Sequence, residues 1–373
     1  MRRAQHVWRI VFSGAPLTFD WVIVGGLLSG ALAGGAARFG RLCTMSAIED
    51  ALIGHDYRGL KAWGLALAVA ITATQAGFAL GILDLERNAY TGPHIHVLGA
   101  ALGGLVFGLG MTLAGTCSFG LIVRAGGGDL RAVVTAAVIG VFAFAFTAGI
   151  LAPLRNLLLG VGTLDVTSSS TSAVDVLLSR PLGSIAARTV LACLPLGLAV
   201  LAFGDRRLRK RPRLLLGATG LGLSIAMGWW TTTRAVDTMM LDRVESLSFV
   251  APVGRALLQF MTVPFRNVEF GVAAMIGAAI ASFVVAAWRR EFRWEAFDDA
   301  REMRRQMFGA ALMGLGGVLA QGCTIGQGLS AASVLAVSAP IFMMFVIAGA
   351  WLGLRHLIEG ASMWRLGFSQ HTK

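Results

Sequence analysis

Two cysteines, Cys117 and Cys323, close two copies of one glycine-rich stretch, Gly110-Met-Thr-Leu-Ala-Gly-Thr-Cys117-Ser-Phe-Gly120 and Gly316-Gly-Val-Leu-Ala-Gln-Gly-Cys323-Thr-Ile-Gly326. The shared pattern is G-x-x-L-A-x-x-C-[ST]-x-G, repeated at an offset of 206 residues. A thiol there offers a weak S–H donor and a polarisable surface, which suits a soft sulfur-bearing ligand better than a hard hydrated one. Gly110, Gly115 and Gly120 in the first copy, with Gly322 and Gly326 in the second, permit close backbone approach and sharp reversal. A helix that starts after either cysteine aims its free N–H groups and positive dipole end at a nearby anion. A single buried cysteine among small residues commonly does no more than pack. Two at equivalent positions of a repeat argue instead for a binding role.

Other residues carry weaker signals. Cys43 opens a short segment beside Arg38 and Arg41, which fits either an anion-handling role or arginines that snorkel at a span end. Arg124, Asp129 and Arg131 flank Gly126-Gly-Gly128; they read either as a vestibule that gathers anions, with Arg124 as a binding residue, or as a basic cytoplasmic loop. His94 and His96 follow Pro93 in an outer loop, where solvation is the simpler reading. Trp229-Trp230-Thr-Thr-Thr233 and Gln321 could line a path, the tryptophans also suiting interfacial anchoring. Cys193, between Leu191 and Pro195, has no repeat partner and reads as a packing residue.

The elements that position these residues are set by lipid. Hydrophobic residues make up 56% of the 373-residue chain and charged ones 14%, against about 25% charged in a soluble domain. Stretches of the roughly 20 apolar residues that a span needs recur along the chain. They lie at about 20–37, 61–83, 97–116, 130–151, 184–203, 214–231, 268–288, 306–321 and 331–354, all helical because lipid leaves no backbone group unpaired. Four shorter pieces, near 44–53, 118–125, 250–261 and 324–329, read as re-entrant helices. The expected fold is thus an all-α polytopic membrane protein of about nine transmembrane helices plus four short re-entrant ones. The net charge of +12 comes from arginine clusters between spans, notably Arg206 to Arg213, a positive-inside signature and not a nucleic-acid surface. Four cysteines with no CxxC pair, and no nucleotide loop, Ser/His/Asp set or metal cluster, point away from a disulfide framework, an enzyme, a metal or a cofactor.

The 206-residue offset also pairs the span near 61 with that near 268, and the span after 130 with that after 331. Residues 1–183 then form a first repeat half, 184–212 a connecting span with a basic loop, and 213–373 a second half. Four spans per half plus the odd connecting span put the second half in the membrane upside down, an inverted repeat. Loops 205–213 and 289–305 fall in the cytoplasm, the Ser/Thr-rich stretch 163–172 outside. The tail with Arg2, Arg3 and Arg9 falls outside too, against the positive-inside rule, and precedes a retained first span rather than a cleaved signal. The charged stretch 294–305 reads as a cytoplasmic helix or linker.

The two cysteine motifs, preceded by Arg41-Leu-Cys43-Thr, resemble the YeeE/YedE family of sulfur transport proteins over nearly the whole chain. The resemblance implies that thiosulfate, or a related small sulfur anion, crosses the inner membrane of a prokaryotic cell. It further implies that three cysteines, here Cys43, Cys117 and Cys323, contact the ion in turn through transient S–H to sulfur hydrogen bonds. The second copy departs at Gln321-Gly322, where the first has Gly115-Thr116, so the two constrictions are expected to differ. Two other readings stand beside permeation: a sulfur relay in which a cysteine persulfide hands sulfur to a cytoplasmic carrier protein, and a non-transporting membrane sensor subunit. No intramembrane carboxylate stands out as a proton site, which favours a facilitated route.

Overall fold

The computed structural model describes residues 21–84, 88, 90, 94–160, 163–165, 184–237, 243–262, 268–297 and 299–359. The tail arginines, most of the Ser/Thr-rich stretch and the last residues of the chain lie outside them. In the first half α1 (Trp21–Gly40), α2 (Thr44–Leu52), α3 (Arg58–Ala79), α4 (Val97–Ala114), α5 (Ser118–Gly126) and α6 (Leu130–Thr147) follow one another. After α7 (Ala152–Gly160), α8 (Ser184–Phe203) and the single turn α9 (Arg206–Arg209), the order long, short, long, long, short, long returns. It is made by α10 (Pro212–Asp237), α11 (Ala251–Thr262), α12 (Phe270–Trp288), α13 (Ala300–Leu319), a π-helical turn (Gly326–Ala331) and α14 (Ser338–Glu359).

The protein is an all-α polytopic membrane protein. Among the described residues seven helical stretches are long and apolar enough to cross a bilayer, two of them broken helices, Trp21–Leu52 and Val97–Gly126. The remaining two expected spans are also helices. The apolar part described for α8 is the shorter Cys193–Phe203, and α13 opens with Arg301, Glu302, Arg304 and Arg305 before its apolar face begins. Short helices or turns stand close to all four places where breaks are expected.

Two details differ from expectation. His94–His96 forms a three-residue strand that pairs antiparallel with Thr163–Asp165, so this stretch is a small ribbon and not a plain loop. Cys193 is exposed on α8. It therefore does not pack in the interior, because α8 sits against the bundle mainly through α3 and turns Leu194, Leu196, Val200 and Leu201 outward.

Lipid gives helices no hydrophobic reason to associate, so close packing of small residues must hold them. A Cβ on Gly30 would fall 1.9 Å from the Ala274 carbonyl oxygen, and one on Gly34 would fall 2.2 Å from that of Ala278. Contact positions on α1 and α12 thus advance together, and these helices run parallel. Along α4 and α13 they advance in opposite senses: Gly103 meets Gly316 and Gly110 meets Gly309, so these two are antiparallel. The same holds for α1 and α10, where Gly25 meets Thr231 and Gly40 meets Gly217. The packing partners also exchange between halves: α1 lies on α12 as α10 lies on α3, and α4 lies on α14 as α13 lies on α6.

Candidate functional site

Each of the three site cysteines stands where a short helical segment begins. Cys43 is the residue before α2, and Cys117 is the residue before α5, where its sulfur accepts the Gly120 N–H at 3.4 Å. Cys323 does the same in the second half, accepting the Gly326 N–H at 3.4 Å. The two repeated motifs therefore share one local contact, a thiol that accepts the N–H three residues on. Cys117 is thereby the cap of α5, whereas the cap position of the π-helical turn is Ile325, two residues past Cys323. The sulfur of Cys43 makes no cap bond. It faces the Thr116 hydroxyl at 3.7 Å.

Threonines link the three segments. The Thr44 hydroxyl lies 3.8 Å from the Cys117 sulfur and 3.5 Å from the Thr324 hydroxyl, next in sequence to Cys323. Cys43, Thr116, Thr44, Cys117, Thr324 and Cys323 thus form one connected row of thiols and hydroxyls drawn from both halves. All but the half-buried Cys43 are at most 2% exposed. Beyond Cys43 the row is closed to solvent.

The glycines explain how this row is held. A Cβ on Gly120 would sit 2.1 Å from the Thr116 Oγ1, so a bare backbone is what lets Thr116 lean toward Cys43. A Cβ on Gly326 would meet Ser248 Oγ at 2.9 Å. Gly115 ends α4 with a left-handed φ of 75°, and Gln321 takes the same turn in the second half with a φ of 57°. There Gly322 leaves room for Gln327, whose amide donates to the Ala320 carbonyl at 2.7 Å and accepts from Ser338 at 3.0 Å. The two motifs therefore differ in carrying a hydroxyl, that of Thr116, in one and a tethered carboxamide, that of Gln327, beside the other. At the position 206 residues beyond Cys43 stands Phe249, fully buried with its ring 4.7 Å from that of Phe119.

Two cavities, each of about 460 Å³, approach the row. The first is lined by Cys43, Ser46 and Trp63, with six bases (Arg41, Arg58, Lys210, Arg211, Arg213, Arg289) against two acids (Asp50, Asp56). The second is lined by Tyr90, Arg243, Glu245, Ser248, Arg255 and Gln321, among others. Arg289, just past the end of α12, lines the first, and Gly271, at its start, lines the second. At 1.5 Å per residue the helix separates them by roughly 27 Å, so they open at opposite ends of the bundle. Three acids at or near the first cavity, Asp56, Asp205 and Glu291, are tied to bases. Hydrogen bonds from Arg58 hold the Asp56 carboxyl down at about 2; Lys61 lowers Asp205, and Arg41 lowers Glu291. A positive surplus remains to draw in anions.

Cys43, Cys117 and Cys323 are thus brought together with Gly115, Gly120, Gly322 and Gly326 around them. Arg124 is not among this group. It stands in the last turn of α5, roughly 9 Å along the axis from the Cys117 end, with its Nε donating to Asp129 at 2.9 Å. Asp129 also caps α6, and Arg131 reaches on to Glu295, so these charges fasten loops together. His96 Nδ1 contacts the Leu159 carbonyl at 3.2 Å, beside the ribbon. Trp229 is fully buried, donating from its indole to Ser333 at 3.0 Å, which is a core role and not interfacial anchoring. The bases around the first cavity and the Tyr90–Glu245–Arg255 group around the second escape a linear reading, because they converge from loops far apart in sequence.

A multi-pass helical membrane protein with paired entrances and a polar row between them has the architecture of a transporter. A sequence profile of the family described as "Sulphur transport" matches residues 39–352, and the chain belongs to that family. A protein named "Thiosulfate transporter TsuA" from Escherichia coli (strain K12) is 28% identical over 344 residues, spanning 88% of this chain and 93% of the relative. One of the same name from Spirochaeta thermophila is 28% identical over 337 residues, spanning 87% and 96%.

Proposed function

We propose that this chain carries thiosulfate, or a closely related small sulfur anion, across the inner membrane between the two cavities, past Cys43, Cys117 and Cys323. The observation that carries the reading is the row of three thiols, buried beyond Cys43, between cavities at opposite ends of the bundle. Two of those thiols accept the N–H three residues on at matching places in the two halves. Each thiol can donate S–H to the sulfur or oxygen of a passing anion, while the N-terminal ends of short helices favour its charge. Thr116, Thr44 and Thr324 supply hydroxyl donors between the thiols, so the ion need not lose all its partners at any step.

In this reading the halves 1–183 and 213–373 are inverted repeats joined by the span and basic loop of 184–212. The antiparallel packing of α1 on α10 and of α4 on α13, together with the exchanged partners, supports that relation. The arginine-rich cavity, with loops 205–213 and 289–305, faces the cytoplasm by the positive-inside rule. The cavity at Glu245 then faces outward. Moving one negative charge toward an interior that is negative costs roughly 2.3 kcal/mol per 100 mV, so inward transport of a dianion is opposed by the potential.

One observation favours a sulfur relay as the second reading. Cys43 has no cap bond and opens to the basic cavity, where a cytoplasmic carrier protein could reach it. Its thiol would take the outer sulfur of thiosulfate as a persulfide and release sulfite, the thiol proton staying on the new terminal sulfur. Proteoliposomes given external thiosulfate labelled separately at its two sulfurs tell the readings apart. Permeation delivers both labels to the lumen in equal amounts. Retention of one label on the protein with sulfite left behind would establish the relay instead.

A further inference from the structure

The two cavities differ in charge, and the less basic of them is lined by a single described carboxylate, Glu245. The basic cavity has six bases to two acids around it. Around the other, Arg243 and Arg255 face Glu245, while Arg255 is ion-paired with Glu269 at the start of α12. Among the described residues its lining carries two bases and one acid, and with Arg255 engaged by Glu269 little positive charge is left to hold an anion. With Glu269 bound to Arg255, the carboxylate that repels an incoming anion is Glu245.

Glu245 is fixed where it stands. Its backbone carbonyl accepts the Thr232 hydroxyl at 2.6 Å, and the neighbouring Val244, fully buried, bridges to Asn88. Among the described residues the charged and titratable groups around it are Arg243 on its own segment, Arg255 from α11, Glu269 from the start of α12 and Tyr90 from the segment before α4. Burial pushes the Glu245 carboxyl above its usual range, an effect that Arg255 opposes and Glu269 reinforces. Burial likewise raises the Tyr90 hydroxyl, which therefore stays protonated as a donor. The floor of this cavity reaches the row, since a Cβ on Gly326 would touch both Ser248 Oγ and the Tyr90 hydroxyl.

We propose that Glu245 makes anion loading of this entrance proton-linked: a proton from the water on that face neutralises the carboxylate as the anion settles beside Arg243 and Arg255. When the anion leaves, the proton returns to the same water. The carboxylate thus acts as the cavity's resident counter-anion, displaced by protonation and not by movement. This rests on the transport reading above and adds to it a group that decides at which pH the entrance fills.

The test is titration of the purified full chain with thiosulfate by calorimetry, at several pH values and in buffers of different ionisation enthalpy. One linked proton makes the dissociation constant weaken by up to tenfold per pH unit above the Glu245 pKa, with up to one proton taken up per anion. Glu245→Gln is expected to bind without proton uptake and with no such slope, and Glu245→Asp, which keeps a carboxylate, to retain it. Binding by the unaltered protein that is independent of pH, or a slope that persists in Glu245→Gln, overturns the inference and leaves the transport reading standing. No binding at any pH removes both. If Glu245→Gln fails to fold, loss of the slope in Glu245→Asp overturns the proposal and its retention upholds it.

Discussion

Replacing Cys117 by alanine is expected to slow thiosulfate uptake into proteoliposomes by roughly 10- to 100-fold. A hydrogen bond to a charged partner contributes about 1.5–3 kcal/mol, and each 1.4 kcal/mol is about a factor of ten. Cys117 sits in the buried part of the row, 1% exposed, with the Thr44 hydroxyl 3.8 Å from its sulfur. The same change removes the acceptor for the Gly120 N–H, a cap loss that costs about 1 kcal/mol of stability. Cys117→Ser separates the two effects. Its oxygen can keep the cap and the fold while removing the soft sulfur, so a serine variant that is stable yet slow identifies the loss as one of transport. Uptake unchanged in both variants would take Cys117 off the path.

The largest effect on the fold is expected from Gly30→Leu. The added Cβ would start 1.9 Å from a backbone oxygen of α12, which cannot rotate away, and Gly34 makes a similar approach one turn later. Overpacking of this kind costs about 1–3 kcal/mol, and here the upper end applies because both helices must separate. The melting temperature of the purified protein should fall by roughly 4 °C. Gly197→Leu on α8, where nothing lies within 4 Å, is the matched control and should leave it unchanged. Equal effects at the two positions would mean that α1 and α12 are not held by this contact.

Much of this architecture is legible in the sequence because lipid imposes simple rules. A span needs enough apolar residues and a closed set of backbone hydrogen bonds, so the positions of α1, α3, α4, α6, α10, α12 and α14 follow from hydropathy alone. The matched breaks at Cys117 and Cys323 follow from the repeat, and both thiols accept the N–H three residues on, although only Cys117 stands directly before its segment. Cys43 is harder to place, because the residues that give it meaning, Thr116 and the arginines of the basic cavity, come from other loops. Arg124 attracts attention as a base near a motif, but Asp129, five residues on, claims it. Three-residue strands such as His94–His96 are too short for any periodicity to reveal. Glu245 is overlooked when carboxylates are sought only within spans. It lies in the connector before α11, and only folding turns that connector inward to line an entrance.

The placement of the path is tested most directly by measuring how fast each cysteine of the unaltered protein reacts with a membrane-permeant maleimide, with and without saturating thiosulfate. Mass spectrometry resolves the four sites. Bound anion should slow modification of Cys43, Cys117 and Cys323 and leave Cys193, exposed on α8, unaffected. If thiosulfate leaves the rates at Cys117 and Cys323 as unchanged as that at Cys193, the row of thiols is not where the anion passes.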